Sequence, residues 1–337
     1  MKGDQIVLGH YRDRPAAALL RDGQLDDLLI DAADDAPRPG AVYRAVCDRP
    51  VKGQGGIFVK LGNGLTGFLR GARGRSPGQA VLVQVSGHSE DGKAVPVTDR
   101  VLFRSRYCIV TPDAPGVNIA RSIREDEERD RIEEIAREAV PPERGETGVI
   151  LRSACESAPP EEIEDDLRRT WDLAMAVMSD TGAGAEHLLD GPDAHQVAWS
   201  EWSDVTSVVN DWDIVSDQLD VLRSSRVVVG PTTLFVERTR ALVAVDVNMS
   251  DTSPAAGTKA NFAAARALPR QLRLRGLGGQ IVLDLAPMPK KDRKPWEAAL
   301  RGALKGDPVE TSLIGWTPLG HYELTRKRVR RPLEELL

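Results

Sequence analysis

Cysteine is scarce in this chain. Cys47, Cys108 and Cys155 are spread over 337 positions with no C-x-x-C pair among them, which speaks against a disulfide framework and against a structural zinc site. Long apolar runs are also missing: no stretch approaches the roughly 18 to 20 apolar residues of a membrane helix. The opening MKGDQIVLGHYRDR has no apolar core of the kind a secretory signal needs. From these absences a cytoplasmic protein with no membrane partner is expected. A hydrophobic content of 41% is ordinary for globular material and leaves room for two or three compact units.

Excess positive charge is absent overall, since the net charge is −6, but the average hides an uneven distribution. From Lys259 onward there are 16 Lys and Arg against 8 Asp and Glu, a net of +8, leaving −14 on residues 1–258. Such a gradient suits a polyanion site and equally suits a solvated basic surface.

Period-two patterns dominate the first hundred residues. IVLG, RPAAALL and GQLDDLLID read as a small strand meander. After an Ala-, Asp- and Pro-rich linker at 32–40, the segments AVYRAVC, GGIFVKLG, TGFLR, AVLVQVSG and AVPVTDR give five short strands, enough for a closed barrel of the OB type. Phe58, Lys60, Phe68 and Arg70 share one parity. That parity admits a nucleic-acid-binding face or, for the two Phe residues, the barrel interior. Helices are expected over 122–139 and 160–179, followed by an Asp- and Gly-rich stretch. Trp199, Trp202 and Trp212 are assigned to packing.

The sharpest signal begins at Arg226. RVVVG, TLFVER and ALVAVDVN read as three strands, a helix over 258–275 contains Pro269 and is expected to kink there, and LGGQIVLDL begins another strand. In VAVDVN and in IVLDLAPM an aspartate, Asp246 or Asp284, interrupts apolar strand sequence. A buried carboxylate needs a partner; one at a strand end needs only solvent, a turn to cap or a cation. Strand, helix, strand is an α/β arrangement whose crossover places both carboxylates on one sheet edge, where a hard divalent cation could hold them together.

The run RQLRLRGLGG (Arg270–Gly279), between the D-x-N of VAVDVN and the Asp of IVLDL, closely resembles the core of the ribonuclease E/G family of single-strand-specific endoribonucleases. GIFVKLG, TGFLR, IARSI, GVILRSA and LGHYELTRKR resemble further family segments in the same order. The resemblance implies a Mg2+-dependent endoribonuclease of single-stranded RNA that leaves a 5′-phosphate and a 3′-hydroxyl. Asp246 and Asp284 would hold the metal and Asn248 would complete the catalytic set. Phe58, Phe68, Lys93 and Arg121 would bind RNA, and Arg152 with Ser153 would sense a 5′-phosphate. The implied fold is α/β (α+β), with an OB-type barrel inserted in an RNase H-like/DNase I-like catalytic core. Its domains are expected at 1–38 (part of the RNase H-like subdomain), 39–104 (OB barrel), 105–192 (5′-phosphate sensor region), 193–240 (reduced RNase H-like part) and 241–337 (DNase I-like). The sequence departs from the family pattern in having no CPxC zinc-link, so oligomerisation through zinc is not expected. A shorter loop follows Asn248, and Pro287 stands where a further acidic residue is usual. A second reading is therefore an RNA-binding protein of the same family with weak or no catalysis.

Overall fold

The computed structural model describes every residue except 1–2, 52–54, 72–73, 90–91, 142–144 and 250–253. Two units share the chain. One is discontinuous, made of Met1–Ile30 and Val209–Leu337, and the other, Asp31–Val208, is inserted within it. The loop after Asn248, judged short from the sequence, falls largely outside the described residues.

The discontinuous unit begins with an antiparallel meander, β1 (Asp4–Tyr11), β2 (Arg14–Arg21) and β3 (Gln24–Ile30). In the central strand, Ala16 to Leu20 are all buried, the mark of a strand covered on both faces.

In the inserted unit, β4 (Val42–Val51), β5 (Gly56–Gly62), β6 (Leu65–Arg70), β7 (Ala80–Val85) and β8 (Val95–Thr98) run in the order β4-β5-β6-β8-β7, and β7 pairs back onto β4. The sheet thereby closes into an OB-like barrel. Its interior takes Ile57, Val59, Leu61, Leu69 and Val83. By alternation Phe58, Lys60, Phe68 and Arg70 stand on the outer wall, so the two Phe residues are not interior side chains. Gly56 makes room for one of them: a Cβ there would lie 2.5 Å from Phe68 Cζ.

The same unit continues with β9 (Phe103–Arg104), β10 (Cys108–Thr111), β11 (Gly116–Ile119), α1 (Asp126–Ala139), β12 (Gly148–Leu151), α2 (Pro160–Met178), β13 (Glu186–Leu189) and α3 (Ala194–Glu201). α1 starts four residues later than the sequence pattern suggests, at the acidic turn Asp126, Glu127, Glu128 that complements a helix N-terminus. Ile132, Ala136, Ile163, Leu167 and Trp171 of the two helices pack on Val110, Val149 and Leu151 of the sheet. Cys108 and Cys155 lie in this core, and burial pushes their thiols up to about 11 and about 12, which leaves them unreactive.

The two-residue β14 (Val208–Val209) marks the return to the discontinuous unit, followed by α4 (Asp213–Leu222), β15 (Arg226–Val229), β16 (Thr232–Arg238), β17 (Val243–Met249), α5 (Pro254–Leu274), β18 (Gly279–Asp284), α6 (Lys290–Lys305), β19 (Thr311–Trp316) and β20 (Tyr322–Arg326). One six-stranded sheet, β15-β16-β17-β18-β20-β19, holds all of these strands after β14. The domain boundary expected at 240/241 falls in the β16–β17 hairpin, where Thr239 and Leu242 close the turn, so the sheet begins at Arg226. Val243, Val245, Val247, Ile281 and Leu283 bury one face against Ala260, Ala264, Leu268 and Leu272 of α5 and Trp296 and Leu300 of α6. α5 runs continuously through Pro269.

Buried Asn261 ties α5 to the chain just past β18: its Nδ2 donates to Ala286 O (2.8 Å) and its Oδ1 accepts from Ala286 N (3.0 Å). Gly257 permits this closeness, since a Cβ there would lie 2.3 Å from Pro287 O.

The arginines of RQLRLR turn inward. Arg270 Nε donates to Leu25 O at 2.7 Å, and Arg273 meets Asp26 Oδ1 at 3.0 Å and also pairs with Asp307. Arg326 Nη2 pairs with the other Asp307 oxygen at 2.8 Å, Arg330 Nη2 donates to Asp27 Oδ2 at 2.9 Å, and Arg275 is buried against Gln271 and Ser224 O. Five of the 16 cations in the basic region thus brace the fold rather than face a polyanion. With no carboxylate partner among the described residues, Arg275 is lowered to about 10 by burial. Burial alone would raise the Asp27 carboxyl, but Arg330 and Arg273 outweigh it and hold it below the ordinary carboxylate range.

Two predictions follow from this network. Because the Asp307 and Arg326 side chains are each 1% exposed, Asp307→Ala leaves Arg326 buried with no carboxylate partner among the described residues and takes one of three carboxylates from Arg273. It should cost about 3–5 kcal/mol in urea unfolding; a loss below about 1 kcal/mol, the scale of a surface pair, would contradict the assignment. A carboxyl depressed in the folded state contributes stability above its unfolded value of about 4, and this is lost as pH falls through the lower folded value. The stability gap between wild type and Asp27→Asn should therefore be wider at pH 7 than near pH 2–3, and an equal gap at both would refute the pairing.

Candidate active site

β17 and β18 run parallel, and their register sets Val243 beside Ile281, Val245 beside Leu283 and Asp246 beside Asp284. Both strands alternate. The valines, Ile281 and Leu283 point to the helices, while Ala244, Asp246, Asn248, Val282 and Asp284 lie on the opposite face. Two carboxylates therefore leave one face from adjacent strands about 4.8 Å apart. They do so at the carboxyl ends of the strands, the edge at which open α/β sheets place ligands. Each aspartate is tolerated in apolar sequence because it is exposed.

Asn248, two residues along on the same face, donates from Nδ2 to Asp246 Oδ2 at 2.6 Å. On the other flank, β20 pairs antiparallel with β18, Leu283 opposite Tyr322, which brings His321 next to Asp284. Its Nδ1 lies 3.3 Å from Asp284 Oδ1, and among the described residues this buried nitrogen makes no hydrogen bond. His321 is the site neighbour that sequence reading missed. In LGHYELTRKR the alternation with buried Tyr322 and Leu324 puts His321 on the open face, but its place beside Asp284 depends on strand register.

Two carboxylates and an amide oxygen suit a hard cation that keeps several waters, as Mg2+ does. Among the described residues no three His, Cys, Asp or Glu side chains gather at one point. The donor set thus fits a sparse, water-completed site rather than a protein cage.

The remaining sequence candidates lie in the inserted unit. Phe58 and Phe68 face each other across β5 and β6 with ring centroids 5.5 Å apart at 60°, and the Arg49 guanidinium lies 5.6 Å from the Phe58 ring. Lys93 is exposed two residues before β8. In the second sheet β11 and β12 are parallel, with Ile119 beside Leu151. Arg121 and the pair Arg152, Ser153 consequently leave adjacent strand ends on one edge. Arg152 Nη1 donates to Ser105 O at 2.6 Å and Nη2 lies 3.7 Å from Glu201 Oε1, so part of its fork is already engaged. Arg121 and Ser153 are exposed.

Residues 103–195 and 193–329 match the family described as Ribonuclease E/G family. Ribonuclease G of Salmonella typhimurium is 25% identical over 392 aligned positions, which take in 95% of this chain and 79% of that protein; Ribonuclease G of Escherichia coli K12 gives the same figures. Ribonuclease E of a Synechocystis species is 27% identical, with 98% of this chain spanning 58% of that longer protein. The match runs through both the sheet that ends in Arg152 and the sheet that carries Asp246 and Asp284, and the chain belongs to the ribonuclease E/G family.

Proposed function

We propose that this protein is a Mg2+-dependent endoribonuclease that cuts single-stranded RNA in the cytoplasm, in RNA decay or processing. The observation that carries this reading is the level pairing of Asp246 with Asp284 on one open sheet face. The family membership supports it. On this reading the six-stranded sheet belongs to a DNase I-like catalytic domain, accompanied by a reduced RNase H-like part.

Asp246 and Asp284 would hold the ion. Mg2+ bound there supplies positive charge to the phosphodiester and acidifies a water nucleophile. The Asn248 amide fixes one Asp246 oxygen and so orients the carboxylate. Water adds to phosphorus and the P–O3′ bond breaks, which leaves a 5′-phosphate on one fragment and a 3′-hydroxyl on the other. Phe58 and Phe68 offer ring faces to unpaired bases, Lys93 contacts the RNA backbone, and Arg152, Ser153 and Arg121 receive a terminal 5′-phosphate.

Purified protein should cleave a fluorescent single-stranded RNA with Mg2+ and not with EDTA. Asp246→Asn or Asp284→Asn should each slow cleavage at least about a hundredfold while RNA binding is retained. Cleavage at the wild-type rate by both variants would refute the metal assignment. RNA binding by the wild type without Mg2+-dependent cleavage would identify a non-catalytic RNA-binding protein instead. Arg152→Ala should erase any preference for 5′-monophosphate over 5′-hydroxyl RNA, and an unchanged ratio would remove Arg152 from that role.

A further inference from the structure

The open face of the six-stranded sheet carries an aromatic ring beside the carboxylates. Pairing runs level across the strands: Arg226 lies opposite Phe235, Phe235 opposite Asp246, and Asp246 beside Asp284. Directly opposed residues share a face, so Arg226, Phe235, Asp246 and Asp284 form one row. A second row on this face holds Val228, Thr233 and Asn248, and Val228 is 60% exposed.

Among the described residues the Phe235 ring belongs to no core cluster. Of the five phenylalanines, Phe103 lies in the core of the inserted unit and Phe262 packs on the core under the six-stranded sheet. Phe58, Phe68 and Phe235 belong to no core cluster. Phe235 is half-buried, its flanking residues Leu234 and Val236 take the core positions, and of its same-face neighbours Thr233 and Ala244 are short and Glu237 is exposed. Arg226 is exposed and forms no ion pair among the described residues.

We propose that Phe235 stacks the base of the nucleotide next to the scissile phosphate and that Arg226 neutralises the following phosphate. The inference rests on the nuclease reading above for the position of the cut. RNA is the occupant that this row fits. The ring lies one strand, about 4.8 Å, from the carboxylate pair, the cation lies one strand further, and a ring face with a backbone-tracking cation is how proteins hold single strands without reading sequence. Phe235 then fixes which phosphate meets Asp246 and Asp284, and tolerates any base.

The test is an abasic scan, in which one base at a time is deleted from a single-stranded RNA and both binding and cleavage are measured for wild type, Phe235→Leu and Phe235→Trp. For wild type, one abasic position adjoining the cut should weaken binding and raise KM about tenfold, the scale of one stacked base. Phe235→Leu, which keeps apolar bulk, should lose about the same on intact RNA and be indifferent to that abasic position, and Phe235→Trp should restore the loss. Arg226→Ala should lower the slope of log K against log salt by about 0.7. A Phe235→Leu variant that matches wild type at every position, or one that suffers equally at all of them, overturns the proposal. If wild type binds RNA but does not cut it, the nuclease reading fails by itself; the binding scan then still decides for or against the stack by the presence or lack of one position-specific loss.

Discussion

Two neighbouring strands that run the same way with their residues level are the constraint on which the candidate site depends. A one-residue slip of β18 against β17 would send Asp284 to the helix face, because side chains alternate. The register is held from below and from one end. The Val and Ile side chains of both strands share a core with α5, and Asn261 clamps the chain immediately beyond Asp284 with two hydrogen bonds. Trp296 Nε1 donates to Asn261 O at 2.9 Å, so α6 supports the same clamp.

The basic motif that links these strands has a different role from the one its charge suggests. Arg270 and Arg273 sit on α5 and reach backbone and carboxylate oxygens at Leu25, Asp26 and Asp307. A guanidinium offers several donors in a fixed fork, and here that fork joins β3, α5 and the loop before β19. Charge in the sequence is therefore a poor guide to charge on the surface. Exposed Lys290, Lys291 and Lys294 on α6 remain solvent-facing, whereas the arginines of RQLRLR, the segment most specific in sequence, are internal.

Local signals were readable without coordinates. Aspartates that interrupt apolar alternation at Asp246 and Asp284 pointed to a candidate site, where the structure sets them side by side, and five glycine-punctuated strands marked a closed barrel, since both features depend on residues close in sequence. What remained hidden depends on distant partners. The engagement of Arg152 by Ser105 and Glu201, the position of His321 beside Asp284 and the inward turn of Arg273 each join segments dozens to hundreds of residues apart. The outward aim of Phe58 and Phe68 needed the barrel's handed closure, because period two alone does not say which parity faces inside. The strands from Arg226 onward were legible as strands, but the boundary at 240/241 implied by the resemblance cuts through the β16–β17 hairpin of one sheet.

Arg330 binds Asp27 across 303 positions, and Asp31–Val208 intervene as a unit of their own. On a ribosome the opening strands are made before the insert, and Asp27 on β3 meets Arg330 only after it. Arg273 of α5 reaches Asp26 and Asp307, and Arg326 and Arg330 complete the network from further along the sequence. Late closure of this kind has high contact order and is slow. It ties the six-stranded sheet that bears Asp246 and Asp284 to strands made before the insert, so that this unit closes only after Asp31–Val208 has been synthesised.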